Sequence, residues 1–281
     1  MKKKVFTILF ALFAIATTAQ SSEEIIICGV TITDELAAQG NLVPMLNEKE
    51  DVTATGNITF NVATQTLVLD NADVVYSPDN ERPVIYFTTW TKNFTIQLKG
   101  ANKLKNAYTG YTNAVIIPNV QEIHVTITGE GSLEVTSLNW YAISLQGGKL
   151  TIDNTTLVLK GREGISYNSG IGGALHVKKS NVTATQINAL SAIELTDCSI
   201  VQPEGAFVYS EDWYDGGKVY YIDKNGSNAD IVISSGTTGI EANSCEPLNN
   251  NHYYSIDGKK LSDEPTKKGV YIIKGKKVVV K

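Results

Sequence analysis

The stretch Gly147-Gly148-Lys149-Leu150-Thr151-Ile152-Asp153-Asn154-Thr155-Thr156-Leu157-Val158-Leu159 decides how this chain is read. Apolar and polar residues alternate on both sides of Asp153-Asn154. That pattern predicts two short strands, 150–152 and 157–159, joined by a polar turn. Versions of the unit recur: Thr66-Leu-Val-Leu-Asp-Asn-Ala-Asp-Val-Val, Phe94-Thr-Ile-Gln-Leu-Lys-Gly-Ala-Asn-Lys-Leu, Val125-Thr-Ile-Thr-Gly-Glu-Gly-Ser-Leu-Glu-Val, Leu175-His-Val-Lys-Lys-Ser-Asn-Val-Thr-Ala and Ile193-Glu-Leu-Thr-Asp-Cys-Ser-Ile-Val. A recurring strand–turn–strand unit is the mark of a repeat architecture.

A third element follows each unit. The pieces are Pro83-Val-Ile-Tyr, Asn113-Ala-Val-Ile-Ile, Tyr141-Ala-Ile-Ser-Leu, Gly164-Ile-Ser-Tyr, Ile187-Asn-Ala-Leu and Gly205-Ala-Phe-Val. Each sets a small residue beside aliphatic ones between polar or glycine-bearing loops. Three short strands per turn predict an all-β chain wound as a single-stranded right-handed parallel β-helix. The interval between equivalent residues Ile96, Ile127, Ile152, Val177 and Leu195 varies, which a solenoid tolerates because insertions fall in outward loops. Read locally, each unit also fits a β-hairpin, so an antiparallel sandwich is the alternative. The third element favours the helix, since a hairpin array has no use for it. Asn71, Asn102, Asn154 and Asn181 fall in the turns, where their amides either form a ladder or cap the local backbone. Local capping asks less of the chain and is the expectation.

The ends read differently. Lys2-Lys3-Lys4, the apolar run 5–16 and Thr17-Thr18-Ala19 have the pattern of a signal peptide over 1–19. That run is too short to span a bilayer, and no other stretch reaches its length, so no transmembrane segment is expected in the mature chain. Cys28 lies too far downstream to be a lipidated first residue. Residues 20–55 hold a first strand and a polar part with Gly40 and Pro44, suited to an N-terminal cap over the first rung. The β-helix is expected over 56–235, with strands near Val219 and Ala229 closing its far end. A polar linker over 236–251 and a short antiparallel segment over 252–281 follow.

Charge separates along the same lines. The chain has 24 basic and 29 acidic residues. The tail from 257 to 281 holds eight lysines against Asp257, Asp263 and Glu264, so the body is strongly acidic. An acidic body argues against nucleic acid and anionic membrane as partners. It suits neutral glycans, or acidic ones if calcium bridges them; no other cofactor is indicated. Cys28, Cys198 and Cys245 form neither a disulfide framework nor a metal-ligand spacing. Buried or half-buried thiols are the expectation, although one bridge is open to them.

Two regions resemble known families. Gly29-Val-Thr-Ile-Thr, the segment Gly56-Asn-Ile-Thr-Phe-Asn-Val-Ala-Thr-Gln-Thr-Leu-Val-Leu-Asp-Asn-Ala and the later Thr126-Ile-Thr-Gly-Glu-Gly-Ser-Leu resemble a family of secreted bacterial β-helix proteins. Members of that family are often labelled carbohydrate-binding. The tail, with Ile256-Asp-Gly-Lys-Lys-Leu, Lys268-Gly-Val-Tyr-Ile and Lys276-Lys-Val-Val-Val-Lys, is similar to the C-terminal sorting segment of Bacteroidetes secreted proteins. That resemblance implies type IX export, with secretion machinery as a partner and a cell-surface or extracellular address.

Chemistry is sparse. A polysaccharide lyase on such a fold needs clustered carboxylates for calcium and an Arg or Lys base. Arg82 and Arg162 stand near no acidic cluster in sequence. A glycoside hydrolase needs paired carboxylates at a defined separation. The nearest pair, Asp212 and Asp215, reads as solvated turn residues. His124 and His176, within strands, and His252 match no metal or nucleophile motif. Aromatic loop residues offer more: Trp90, Trp140, Trp213 and Tyr214 can stack on a pyranose, with Asp212 and Asp215 accepting hydroxyl bonds or holding calcium. For each ring alone, plugging the rod or packing a loop is the commoner role. The expectation is a non-catalytic surface or adhesion module that binds glycans. The alternatives are an enzyme on the same scaffold and a structural spacer with no small ligand.

Overall fold

The computed structural model describes residues 25–88, 93–117, 123–167, 173–189, 191–212 and 217–236, and in the tail 253–255, 260–261, 265–266, 268–273 and 276–280. The chain is all-β. It starts with a hairpin, β1 (Ile25–Ile27) and β2 (Val30–Thr31), turning through Cys28 and Gly29, both at positive φ. Two short helices follow, α1 (Asp34–Ala38), capped by the Thr33 side chain, and α2 (Val43–Leu46), which carries Pro44 in its first turn. Asn47 ties them to the sheet by exchanging 2.8 Å bonds with the backbone of Ala54. Leu42, Val43 and Leu46 join the hydrophobic core.

Strands β3 (Val52–Asn61) and β4 (Thr66–Tyr76) pair antiparallel, with a register shift at Gly56, so this first unit is a hairpin. From β4 to the strand Ala192–Thr196 the pairing between successive triplets is parallel. The next triplets are β5 (Ile85–Phe87), β6 (Asn93–Lys99) and β7 (Ala101–Asn106), then β8 (Val115–Ile117), β9 (His124–Thr128) and β10 (Ser132–Ser137). After them come β11 (Tyr141–Leu145), β12 (Lys149–Asp153) and β13 (Thr156–Lys160), then β14 (Glu163–Ser166), β15 (Ala174–Lys178) and β16 (Asn181–Ala184). The far end holds β17 (Asn188–Ala189), β18 (Ala192–Thr196), β19 (Cys198–Gln202), β20 (Phe207–Asp212), β21 (Lys218–Asp223) and β22 (Ile231–Ser235).

Each member of a triplet pairs in parallel with its counterpart in the next. Strands β5, β8, β11 and β14 form one sheet with β1 and β2. The other two sets merge into a thirteen-stranded sheet because β4 runs unbroken through the corner and pairs with both β6 and β7. That sheet curls until its end strands, β18 and β19, are joined through Asp197, which makes it nearly closed and barrel-like.

The core is a set of aligned rows. Ile96, Ile127, Ile152, Val177 and Leu195 are direct register partners on successive strands, so the positions that measure the repeat interval share one inward row. Ile152 and Val177 are fully buried. Val74, Leu104, Val135, Leu159 and Ala184 form a second row, and Ile85, Val115, Ile143 and Ile165 a third.

The far end departs from expectation. Ile193 to Val201 supplies β18 in parallel register, but β19 does not stack on β16. Strand β22 lies antiparallel between them and fills the inner rows with the fully buried Ile231 and Ile233. Residues 205–208 do not supply a sixth third-element either. They enter β20, which joins β21 and β17 in a separate three-stranded sheet and leaves Phe207 40% exposed.

Local capping by the turn asparagines also needs correction. Asn102 is buried and its amide links three rungs: Oδ1 accepts from Ala72 N at 2.9 Å, while Nδ2 donates to Ser132 O and to Lys99 O, both at 3.1 Å. Asn71 and Asn154 instead use positive φ to turn the chain.

In the tail, β23 (Tyr253–Ser255), β24 (Lys260–Leu261), β25 (Gly269–Ile273) and β26 (Lys276–Val280) form a four-stranded antiparallel sheet of their own.

Candidate aromatic and carboxylate site

The corner where each second strand hands over to the next triplet carries exposed aromatic, apolar and charged side chains. The loop between β7 and β8 holds Tyr111, which is 68% exposed. The loop between β10 and β11 holds Leu138, Asn139 and Trp140, and Gly161 and Arg162 lead into β14. Loops of adjacent rungs are stitched together. Ser137 Oγ donates to Thr112 O at 2.7 Å and accepts from Trp140 N at 3.2 Å; Asn139 donates to Thr109 O; Arg162 N donates to Trp140 O at 2.8 Å.

This stitching fixes Trp140, which is half-buried. Its ring stacks on Tyr141 with centroids 4.7 Å apart and planes at 26°. Tyr111 meets it edge-on at 5.1 Å. The Arg162 guanidinium carbon sits 5.0 Å from its centroid, within cation–π range.

A polar cluster continues along the same flank. Glu163 is the register partner of Tyr141, and its Oε2 accepts from Asn188 Nδ2 at 2.8 Å. Burial, and then the Glu163 carboxylate, raise the Tyr141 phenol above the usual tyrosine range, with a hydrogen bond to Ser166 opposing them. Tyr167 is raised by burial, then by Glu163, Tyr141 and Glu211, so both carboxylates reach its neighbourhood electrostatically. Beside this cluster the Ser144 hydroxyl is fully buried and has no hydrogen-bond partner among the described residues.

Beyond β17 the flank passes onto the β20–β21 hairpin. Asn188 is in register with Tyr221, whose hydroxyl donates to Glu211 Oε1 at 2.9 Å. Partial desolvation and that carboxylate push the Tyr221 phenol up to about 12. Tyr209 meets Tyr221 at 5.1 Å and Phe207 at 6.3 Å, both edge-to-face. Past Tyr209, a groove of about 700 Å³ opens between β20 and the end strands β18 and β19, lined by His176, Glu194, Ile200, Phe207, Tyr209 and Tyr220 among others.

Of the residues singled out from the sequence, Trp140 lies in this site. Asp212 ends β20 opposite Lys218 and is exposed. Trp90, Trp213, Tyr214 and Asp215 lie outside the described residues. His124 and His176 sit on outward rows, each ring 2.9 Å from a threonine hydroxyl of the next rung, Thr151 and Thr196. Burial and then Lys149 lower the His124 pKa. Tyr111, Tyr141, Glu163, Tyr209, Glu211 and Tyr221 were not anticipated. Tyr111, Tyr141 and Glu163 border third elements, where polar residues interrupt the apolar pattern; Tyr209 and Glu211 belong to an acidic and aromatic run, and Tyr221 to the strand near Val219.

Chemically, the site offers flat apolar rings beside carboxylate, amide and phenol groups, the mixture that engages polyhydroxylated ligands. Among the described residues no three His, Cys, Asp or Glu side chains come together to hold a metal ion, and no helix is long and apolar enough to cross a membrane. Cys28 is buried and its thiol is pushed up to about 12 by burial, while Cys198 is half-buried and also free. Compared with protein-family models, with curated proteins and with solved structures, the chain matches none.

Proposed function

We propose that this protein is an exported, non-catalytic binding module that holds carbohydrate against the flank containing Trp140. The parallel triplets are taken to wind as a right-handed β-helix, because crossovers between parallel strands are right-handed in about 98% of cases. The signal-like residues 1–19 and the sorting-like tail supply the surface or extracellular address.

The observation that carries the reading is the fixed, half-exposed Trp140. Its orientation is set by Tyr141, Tyr111 and Arg162, so it loses little freedom on meeting a sugar face. Glu163 and Asn188 lie one strand or two further along, where hydroxyls of the same ligand can be bonded.

A glycan array with the secreted chain, with and without calcium, tests this. Binding that is lost in Trp140→Ala while the circular dichroism spectrum is kept supports the proposal. Binding to no glycan would sink it. Release of reducing-end or unsaturated products would replace it with the enzyme reading. Dependence on calcium would mean that acidic glycans are bridged by the ion.

A further inference from the structure

We propose, resting on that reading, that the site is not a single-sugar pocket but a linear track for an extended neutral oligosaccharide. The track runs from Trp140 across β11, β14, β17, β21 and β20 to the groove beside Phe207 and Tyr209.

The strands along this path are successive neighbours. Strands β11 and β14 are parallel partners, Ile165 bridges Ile187 at the entry to β17, β17 pairs with β21, and β21 pairs with β20. Four inter-strand steps at about 4.8 Å each separate its ends by roughly 19 Å. Aromatic rings stand at both ends, the half-buried Trp140 with the exposed Tyr111 at one and Tyr209 with Phe207 at the other. One pyranose covers one ring face, so a monosaccharide cannot engage both.

The span between the ends is polar. The Glu163–Asn188 and Tyr221–Glu211 bonds each use one carboxylate oxygen, and a carboxylate has about four lone-pair sites. Hydroxyls of a ligand lying along the rod can therefore donate to both. The same two carboxylates repel an acidic glycan, which selects for neutral chains. At the far end the 700 Å³ groove gives the ligand a recess in which to end.

Titration calorimetry with cello-, xylo- and manno-oligosaccharides, from disaccharide to hexasaccharide, decides the matter, with oligogalacturonides as the acidic arm. For the responding series, affinity is expected to rise about tenfold or more with length and then level off. Tyr209→Ala is expected to cost roughly tenfold on the hexasaccharide and to leave the disaccharide unchanged. Glu211→Gln is expected to act in the same direction and keeps the fold testable if the Tyr209 variant fails to fold. Affinity independent of length, or no effect of either substitution while Trp140→Ala still abolishes binding, overturns the track and leaves the Trp140 reading standing. Tighter binding of oligogalacturonides overturns the neutral class. An extended peptide competing for β20, the edge strand of its sheet, would also overturn it. Binding by none of the sugars removes the underlying reading itself.

Discussion

Two corners of the same repeating unit behave in opposite ways. At the corner between first and second strands, every rung spends a single residue in the left-handed region: Asn71, Gly100, Gly129, Asn154, Lys179 and Asp197. At the corner between second and third strands the connection runs from the pair Gly161-Arg162 to the loop spanning 107–114. The first corner is uniform because adjacent rungs abut there through backbone. Ser132 N donates to Gly100 O at 2.8 Å, Asn154 N to Lys178 O at 3.0 Å, and Lys179 N to Thr196 O at 2.9 Å. Nothing can be added without breaking such bonds. The second corner varies in length and is held by backbone and side-chain bonds alike, Arg162 N to Trp140 O and Ser137 Oγ to Thr112 O among them. Its exposed positions, such as Tyr111 and Leu138, leave part of its composition free. It supplies Tyr111, Trp140 and Arg162 to the candidate site. One corner sets the stacking, and the other carries the chemistry.

The sharpest way to break this contrast is Gly129→Val. Gly129 has φ +123°, and a Cβ there would fall against the backbone oxygen of Leu98 in the preceding rung. Strain at such a φ and overpacking against backbone together cost about 2–6 kcal/mol. Urea unfolding is expected to show a midpoint reduced accordingly. A wild-type midpoint would mean that the rungs are not held at the spacing seen at this corner.

How much could be read beforehand follows the same division. The inward row Ile96, Ile127, Ile152, Val177 and Leu195 is visible in sequence because each strand must bury at least one aliphatic residue at a fixed offset from its turn. Insertion of β22 between β16 and β19 is not visible. Ile231 and Ile233 alternate with polar residues as any rung strand does, and alternation is blind to strand direction. In the site, Trp140 stands out as a lone aromatic residue in a polar loop. Its continuation through Glu163, Asn188, Tyr221 and Glu211 depends on register between rungs and on a hairpin that folds back, which spacing along the chain does not encode.

A second test concerns Asn102, the buried amide that joins Ala72, Lys99 and Ser132. Replacement by alanine leaves Ala72 N–H and the Ser132 carbonyl without this partner inside the stack. Each buried polar group so stranded costs about 1–3 kcal/mol. With two groups stranded, Asn102→Ala should be less stable than wild type by about 2–6 kcal/mol, the same range as Gly129→Val and well beyond a surface change. Amide hydrogen exchange should accelerate first at Ala72. Stability unchanged within error would show that water enters and replaces the amide, and the tight corner would then be less dry than its burial indicates.

The smallest effect is expected where the second corner is longest. One glycine inserted between Thr109 and Gly110 lengthens a loop that spans 107–114, and loop-closure entropy grows only logarithmically with length. The main loss is the Asn139 bond to the Thr109 carbonyl, at an exposed position. Together these amount to about 1 kcal/mol or less, or roughly 2–4 °C in Tm for a domain of this size. The same glycine inserted after Asn154 would shift β13 by one residue against β10 and β16, turning Leu157 and Leu159 from the core to the surface. Comparing the two insertions by thermal unfolding isolates the corner as the single variable. Equal losses would mean that the solvent-facing corner is as constrained as the tight one, and that Trp140 is held by the scaffold rather than by its own loop contacts.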